Sequence, residues 1–198
     1  MVEPYGIAMH ALNRLAVVGG ESLLILGAGP IGLAALDIAK TKGLRVLIDD
    51  VYQTRLDLAR RLGADMTVDP NECDLAKAVF DFTDGEGFPA ILEATGVPTV
   101  MQSTQEFVAN GGRICIAGVI NRPVEISSMT FCNKEATILG TRNSVGVFPE
   151  LIRLFQEKKL HPECLRTNIF SLDDYAEAIK LAAQSTGSVC KIVIRVAG

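Results

Sequence analysis

The sequence has no basic run, no apolar stretch of bilayer length, no basic leader at its first residues and no two cysteines at Cys-x-x-Cys spacing. Each absence removes a class of function. With a formal net charge of −4, no basic face is expected to hold a nucleic-acid backbone or an anionic membrane. Met1-Val2-Glu3-Pro4 lacks the positive n-region of a signal peptide. The longest apolar segments are of strand length or broken by glycine, so no membrane span is expected. Cys73, Cys115, Cys132, Cys164 and Cys190 are scattered and make no recognisable zinc knuckle. Their odd number fits a reducing compartment, so a cytoplasmic location is expected. What is present is 198 residues that are 48% hydrophobic and 21% charged, enough for one large domain, or a domain with an appendage, around a substantial core.

The informative segment runs from Ser22 to Leu33. Ser-Leu-Leu-Ile-Leu reads as a strand, Gly27-Ala28-Gly29-Pro30-Ile31-Gly32 as Gly-x-Gly-x-x-Gly, and the apolar residues after it as a helix ending near Lys42. In such a unit the first glycine turns the chain, the second lets backbone approach a pyrophosphate, and the third lets the helix lie close on the strand. The unpaired amides and positive end of the helix then face the phosphates. A second strand, Arg45 to Asp50, ends in acids at the distance this fingerprint requires.

The remaining chain alternates in the same way. Helices are predicted over 53–62, 75–82 (inward through Val79 and Phe80) and 98–109, the last stopped by Gly111-Gly112. Strands are predicted over 66–68, 89–94, 113–117 and 136–140. Short buried strands alternating with helices imply a parallel sheet covered on both faces, so the expected fold class is α/β, a doubly wound six-stranded Rossmann sheet. A helix over 4–15 precedes it. After Arg142 come a helix over 148–159, an extended connection over 161–172 with a strand at 167–170, a helix over 173–184 capped by Asp173 or Asp174, and a strand over 190–196.

Several residue groups carry a resemblance: Val2-Glu3-Pro4 with His10-Ala11, Gly-Ala-Gly-Pro-Ile-Gly, Asp50 with Arg55-Leu56, and Leu62-Gly63-Ala64-Asp65. Glu93-Ala94-Thr95-Gly96, Gly111-Gly112-Arg113, Ala117-Gly118-Val119, Gly140-Thr141-Arg142-Asn143 and Lys191-Ile192-Val193 complete the set. Together the chain resembles the medium-chain dehydrogenase/reductase family, and within it the zinc-type polyol, sugar-acid and threonine dehydrogenases. The resemblance implies a linker helix at 1–15, an NAD-binding domain at 16–145 and a C-terminal return segment at 146–198. It also implies a GroES-like domain carrying the catalytic zinc ligands, and no such ligand set occurs here.

The same resemblance assigns the pyrophosphate to Gly27, Gly29, Pro30, Ile31 and Gly32, with Lys191 reaching it from the tail. Asp50 is expected to accept from the adenosine ribose hydroxyls beside Arg55, while Asp49 points to the other side of the strand end. An anion at Asp50 repels a 2′-phosphate by on the order of 4 kcal/mol at about 4 Å and an effective dielectric of about 20, so NAD is preferred over NADP. Ile31, Thr95 and Gly96 are expected against the pyrophosphate or the nicotinamide ribose, and Ala117, Gly118, Val119, Thr141 and Arg142 are expected to border the nicotinamide. Glu3 is a weak metal candidate that needs the absent domain, so zinc is expected only in a full-length parent. His10 and His161 are read as structural or solvent-facing, and no nucleophile or general base is assigned.

The implied function is the NAD-binding portion of a zinc-dependent dehydrogenase of a small secondary alcohol, inactive without its zinc domain. A stand-alone NAD-binding module without catalysis is the alternative. An S-adenosylmethionine-dependent methyltransferase is disfavoured, because the dehydrogenase motifs continue to Lys191. A homo-oligomer is expected through the edge strand at 136–140, which has unpaired backbone groups and no proline.

Overall fold

In the computed structural model, residues 1–184 and 187–196 are described. The strands are β1 (Ser22–Leu26), β2 (Arg45–Asp49), β3 (Met66–Val68), β4 (Phe88–Glu93), β5 (Val108–Ile116) and β6 (Thr137–Gly140). All pair in parallel, in the order β3-β2-β1-β4-β5-β6. The helices around them are α1 (Val2–Arg14), α2 (Pro30–Thr41), α3 (Gln53–Arg61), α4 (Leu75–Phe82), α5 (Pro98–Phe107) and α6 (Ser128–Lys134). The chain then adds α7 (Phe148–Gln156), α8 (Pro162–Leu165), β7 (Arg166–Ser171), α9 (Tyr175–Ala183) and β8 (Lys191–Arg195). β7 and β8 form a separate two-stranded parallel sheet. No described helix is long and apolar enough to cross a membrane.

Successive side chains of a strand point to opposite faces, so strands with no polar alternation must be covered on both. β1 obeys this residue by residue. Leu23 and Ile25 join a core with Tyr5, Met9 and Leu12 of α1, Leu33 and Leu36 of α2, and Leu151 and Leu154 of α7. Leu24 and Leu26 join the opposite core, with Val79 and Phe82 of α4 and Phe107 of α5. The order reverses between β1 and β4, and a crevice opens there beyond the carboxyl ends of the strands.

Four local expectations are corrected. α4 faces inward through Val79 and Phe82, while Phe80 is exposed, because residues three and four apart share a helix face and adjacent ones do not. α5 ends at Phe107 with Val108 already extended, and Gly111, at φ +69°, lies within β5. There β4 advances two positions while β5 advances five, so the two glycines serve a strand excursion and not a helix stop. Asp174 is the N-cap of α9 but its carboxylate accepts from the Ser171 hydroxyl and caps no amide. The connection over 161–172 contains the short helix α8 before β7.

One buried polar junction ties the ends of the chain to the sheet. Asp37 of α2 is 2% exposed. Its Oδ2 accepts from the Tyr5 hydroxyl and the His161 amide, each at 2.6 Å, and its Oδ1 lies 2.9 Å from His161 Nδ1. His161 is thus structural, and the adjacent carboxylate raises its pKa above the ordinary histidine value. The ion-pair contribution is present below the ordinary value and is lost as pH rises through the raised one. Tyr5→Phe removes one donor from a buried carboxylate and is expected to lower stability by about 1–3 kcal/mol, read as a lower urea midpoint at unchanged slope.

Candidate functional site

The three glycines of the first turn meet three different demands. Gly27 has φ +98°, and a Cβ on it would stand 2.8 Å from Thr95 Cγ2. Gly32 lies so close to β1 that a Cβ would be 1.9 Å from the Gly27 carbonyl oxygen. Gly29 needs neither allowance. Its backbone is extended at φ −73°, and a Cβ would meet nothing within 4 Å. No side chain caps α2, and Pro30 occupies its first turn, so the amides that open the helix remain for a ligand.

Two neighbouring carboxylates hold this turn. Asp50 Oδ2 accepts from the Ala28 amide at 2.9 Å, and its Oδ1 accepts from the Tyr52 amide at 3.0 Å. Arg55 Nη1 lies 3.3 Å from Asp50 Oδ2, and its guanidinium stacks over the Tyr52 ring at 4.8 Å. Arg55 Nε is buried with no hydrogen-bond partner, a donor whose pairing by a bound hydroxyl or water would recover about 1–3 kcal/mol. The expectation that Asp49 points away is corrected. Asp49 Oδ1 accepts from the Gly27 amide at 2.8 Å, and the side chain lines the same cavity as Asp50. The sharp reversal at Gly27 brings its own amide to Asp49 and the Ala28 amide to Asp50 at the end of β2. Burial pushes the Asp49 carboxyl up to about 7, with the charges of Asp50 and Glu93 adding to the effect.

The cavity has a volume of about 350 Å³. Gly27 and Gly29 of the turn line it beside Asp49, Asp50 and Arg55, together with the apolar Val51, Pro70, Val97 and Val100 and with Ala94 and Thr95. Of the residues selected from sequence, Gly27, Gly29, Asp50, Arg55 and Thr95 therefore meet in one space. Pro30, Ile31 and Gly32 form the first turn of α2 behind it.

The other selected residues lie along the same edge of the sheet. A Cβ on Gly118 would be 2.2 Å from the Gly96 amide nitrogen, so the turns after β4 and β5 touch backbone to backbone. The amides of Ala117 and Gly118 donate to the Glu93 carbonyl at 2.8 and 3.1 Å. Thr141 donates its amide to Ile116 at 3.2 Å while its hydroxyl is buried without a partner. Val119 and Arg142 are exposed. Lys191 opens β8 and does not line the cavity. Instead the tail reaches α3 through Gly187, whose carbonyl accepts from the Thr54 hydroxyl at 2.7 Å. Glu3 is exposed in the first turn of α1, and among the described residues no three His, Cys, Asp or Glu side chains group to hold a metal ion.

Glu93 enters as a functional candidate that the sequence reading left inside a motif. It is fully buried, and its Oε1 accepts from the amides of Thr95 at 2.7 Å and Gly96 at 3.0 Å and from the Thr95 hydroxyl. Its Oε2 has no partner and lies against Gly118. The available signal was an acid at a strand end two residues before Thr-Gly.

The family model of zinc-binding dehydrogenases matches residues 30–157. The chain belongs to this family. Among its relatives, an (R,R)-butanediol dehydrogenase of Neisseria gonorrhoeae is 30% identical over 98% of this chain and 55% of its own length. An L-threonine 3-dehydrogenase of Pyrococcus furiosus is 33% identical over 94% of this chain and 55% of its own. A solved structure described as a short chain alcohol dehydrogenase from Escherichia coli CFT073, complexed with cofactor NADH, superposes with a TM-score of 0.90 at 26% identity, over 97% of this chain and 57% of that one. This zinc-binding dehydrogenase chain therefore spans about half the length of the curated relatives it matches. The six-stranded Rossmann sheet and the family expected from the motifs both hold.

The raised pKa of Asp49 has a consequence for stability. Between the ordinary aspartate value and about 7, the folded chain holds a proton that the unfolded chain releases, so stability falls as pH rises through that window. Asp49→Asn keeps an acceptor for the Gly27 amide and removes the titration. Its stability advantage over the parent is expected to grow from pH 4 to pH 7, to on the order of 2–4 kcal/mol, and then level off. Denaturant unfolding at fixed pH values reads this directly, and an advantage that is constant with pH contradicts it.

Proposed function

We propose that this chain binds NAD, as the cofactor-holding part of a zinc-dependent dehydrogenase that moves hydride between a secondary alcohol and the nicotinamide. The observation that carries the reading is the open space in front of Gly29, a position where neither backbone nor neighbours forbid a side chain. That space continues into the cavity ending at Asp50 and Arg55. A pyrophosphate against Gly29 and the first turn of α2, with a ribose diol donating to Asp50, accounts for both ends at once. Arg55 sits beside that ribose with its unpartnered Nε, and Ile31 borders the pyrophosphate. Thr95 and Gly96 lie at the pyrophosphate or the nicotinamide ribose, Ala117, Gly118, Val119, Thr141 and Arg142 border the nicotinamide, and Lys191 serves the pyrophosphate from the tail. When bound, NAD supplies the hydride acceptor, while the chain's own residues bind and orient it.

The relatives named for butanediol and threonine support a small polyol, sugar-acid or threonine-like alcohol as the substrate class. Zinc chemistry would belong to a further domain to which this chain contributes at most Glu3, so the chain alone is inactive. On this reading residues 1–15 are a linker helix, 16–145 the NAD domain and 146–198 a return segment. The exposed Ile169, Leu172, Tyr175 and Ile179 of that segment are in keeping with a covering domain. Five free cysteines agree with a cytoplasmic setting.

Gly29→Ala is the most selective test. Its backbone suits alanine, so stability is expected to change by less than about 1 kcal/mol, while NAD affinity falls at least about tenfold because a methyl group enters the pyrophosphate space. Calorimetric titration should also give tighter binding of NAD than of NADP, a gap that Asp50→Gly narrows. Unchanged NAD affinity in Gly29→Ala would remove the glycine turn from its assigned role.

We infer in addition a homodimer through β6. It is an edge strand of the sheet, with Ile138 and Leu139 half-buried and no proline to discourage pairing. Light scattering should give a dimer at micromolar concentration that Ile138→Lys weakens, and a monomer in the parent chain would rule it out.

A further inference from the structure

We propose that Asp49 is a second specificity-determining residue of the cofactor site, its charge setting how strongly the site rejects a 2′-phosphate. The proposal rests on the NAD-binding reading and adds to it a residue and a pH dependence.

The argument begins with the charge balance at the ribose end of the cavity. Asp50 is the acid expected to face the diol, but its Oδ2 is paired with Arg55 Nη1 at 3.3 Å, and Arg55 lines the same cavity. One negative and one positive charge leave that corner close to neutral. Asp49 lines the cavity next to Asp50, its Oδ1 accepts from the Gly27 amide, and among the described residues no cation pairs with it. Its ionisation therefore decides whether an incoming phosphate meets a neutral corner or a negative one.

The groups around Asp49 favour a proton there near neutral pH. Its register neighbours Leu26 of β1 and Val68 of β3 are apolar, so the strands on either side offer no charge. Glu93 of β4 and Asp50 of its own strand end are both acids that raise its pKa, after burial itself. From α3, Arg55 is engaged by Asp50. Gly29 and Pro30, which open α2, carry no charge. With the carboxyl at about 7, Asp49 is neutral in mildly acidic solution and charged above it. Rejection of the 2′-phosphate should accordingly be weak below neutral pH and strong above. By linkage, NADP binding should draw a proton onto Asp49. A ribose diol carries no charge to be repelled, so NAD binding should vary little over the same range.

The test is calorimetric titration of the full chain with NAD and with NADP from pH 5.5 to 8.5, in buffers of different ionisation heat. The parent is compared with Asp49→Asn and with Asp49→Thr, a second short polar side chain should the first fold poorly. The second ionisation of a phosphate monoester falls at about 6, so part of the pH dependence belongs to NADP itself and is common to all three proteins. The decisive quantity is the difference between them. The preference of the parent for NAD is expected to rise with pH by about tenfold more than that of either variant. Its proton uptake on binding NADP near pH 7 should exceed theirs. Superimposable pH profiles in parent and variants, with NAD still bound, overturn the proposal and leave the NAD reading intact. A parent chain that binds neither dinucleotide at any pH overturns both.

Discussion

The close crossing of α2 over the end of β1 is the constraint on which the site depends. The helix leaves the strand so near to it that residue 32 has no room for a Cβ beside the Gly27 carbonyl. The whole reversal must then be made by residues 27–29, with Gly27 in the left-handed region. That tight turn brings the amides of Gly27 and Ala28 to the end of β2, where the first also donates to the Asp49 carbonyl at 3.2 Å and side chains can accept from both. Asp49 and Asp50 do so. The glycines and the acids that line the cavity are thus two consequences of one packing distance.

Acids at the ends of these strands shape backbone before they meet any ligand. Asp49 takes one amide, Asp50 takes two, and Glu93 takes two with a hydroxyl. Each carboxylate accepts from a turn that follows a different strand or its own. Charge and loop geometry are therefore carried by the same atoms, and a substitution that removes one disturbs the other unless it preserves an acceptor of similar reach. This coupling also explains why three carboxylates can stand within one crevice: bonds from backbone amides offset part of the cost of keeping them from water.

Much of the sheet was legible because its signals are local. β1 and β3 fall where the apolar runs and their bounding residues put them, as does α4 between Asp74 and Thr83. The pairing of the glycine turn with Asp50 was legible because that spacing has a mechanical reason, whereas Arg55 and Thr95 came from the family resemblance. What escaped reading depends on tertiary contact. Gly111-Gly112 looks like a helix stop in one dimension, and only the pairing of β4 with β5 makes it an excursion within a strand. Asp49 was assigned to the far side from strand alternation alone, which ignores where the amide of Gly27 lies. Asp37 has no motif at all, since its partners are far along the chain in both directions. The orientation of Lys191 follows from β8 pairing with β7 instead of joining the main sheet.

The junction at Asp37 bears on how the chain assembles. Its two oxygens are satisfied by a phenol near the start of the chain and by two groups of a residue 124 positions further on. Among the strand pairs of the sheet the widest jump in sequence is that of β1 to β4, where Leu23 pairs with Ala90, and the contact of Asp37 with His161 spans a wider one. Asp37 cannot leave water at the same cost until both distant partners have arrived. Docking of α1 and of the segment entering α8 is therefore coupled through one buried carboxylate, and losing either partner weakens the hold on the other.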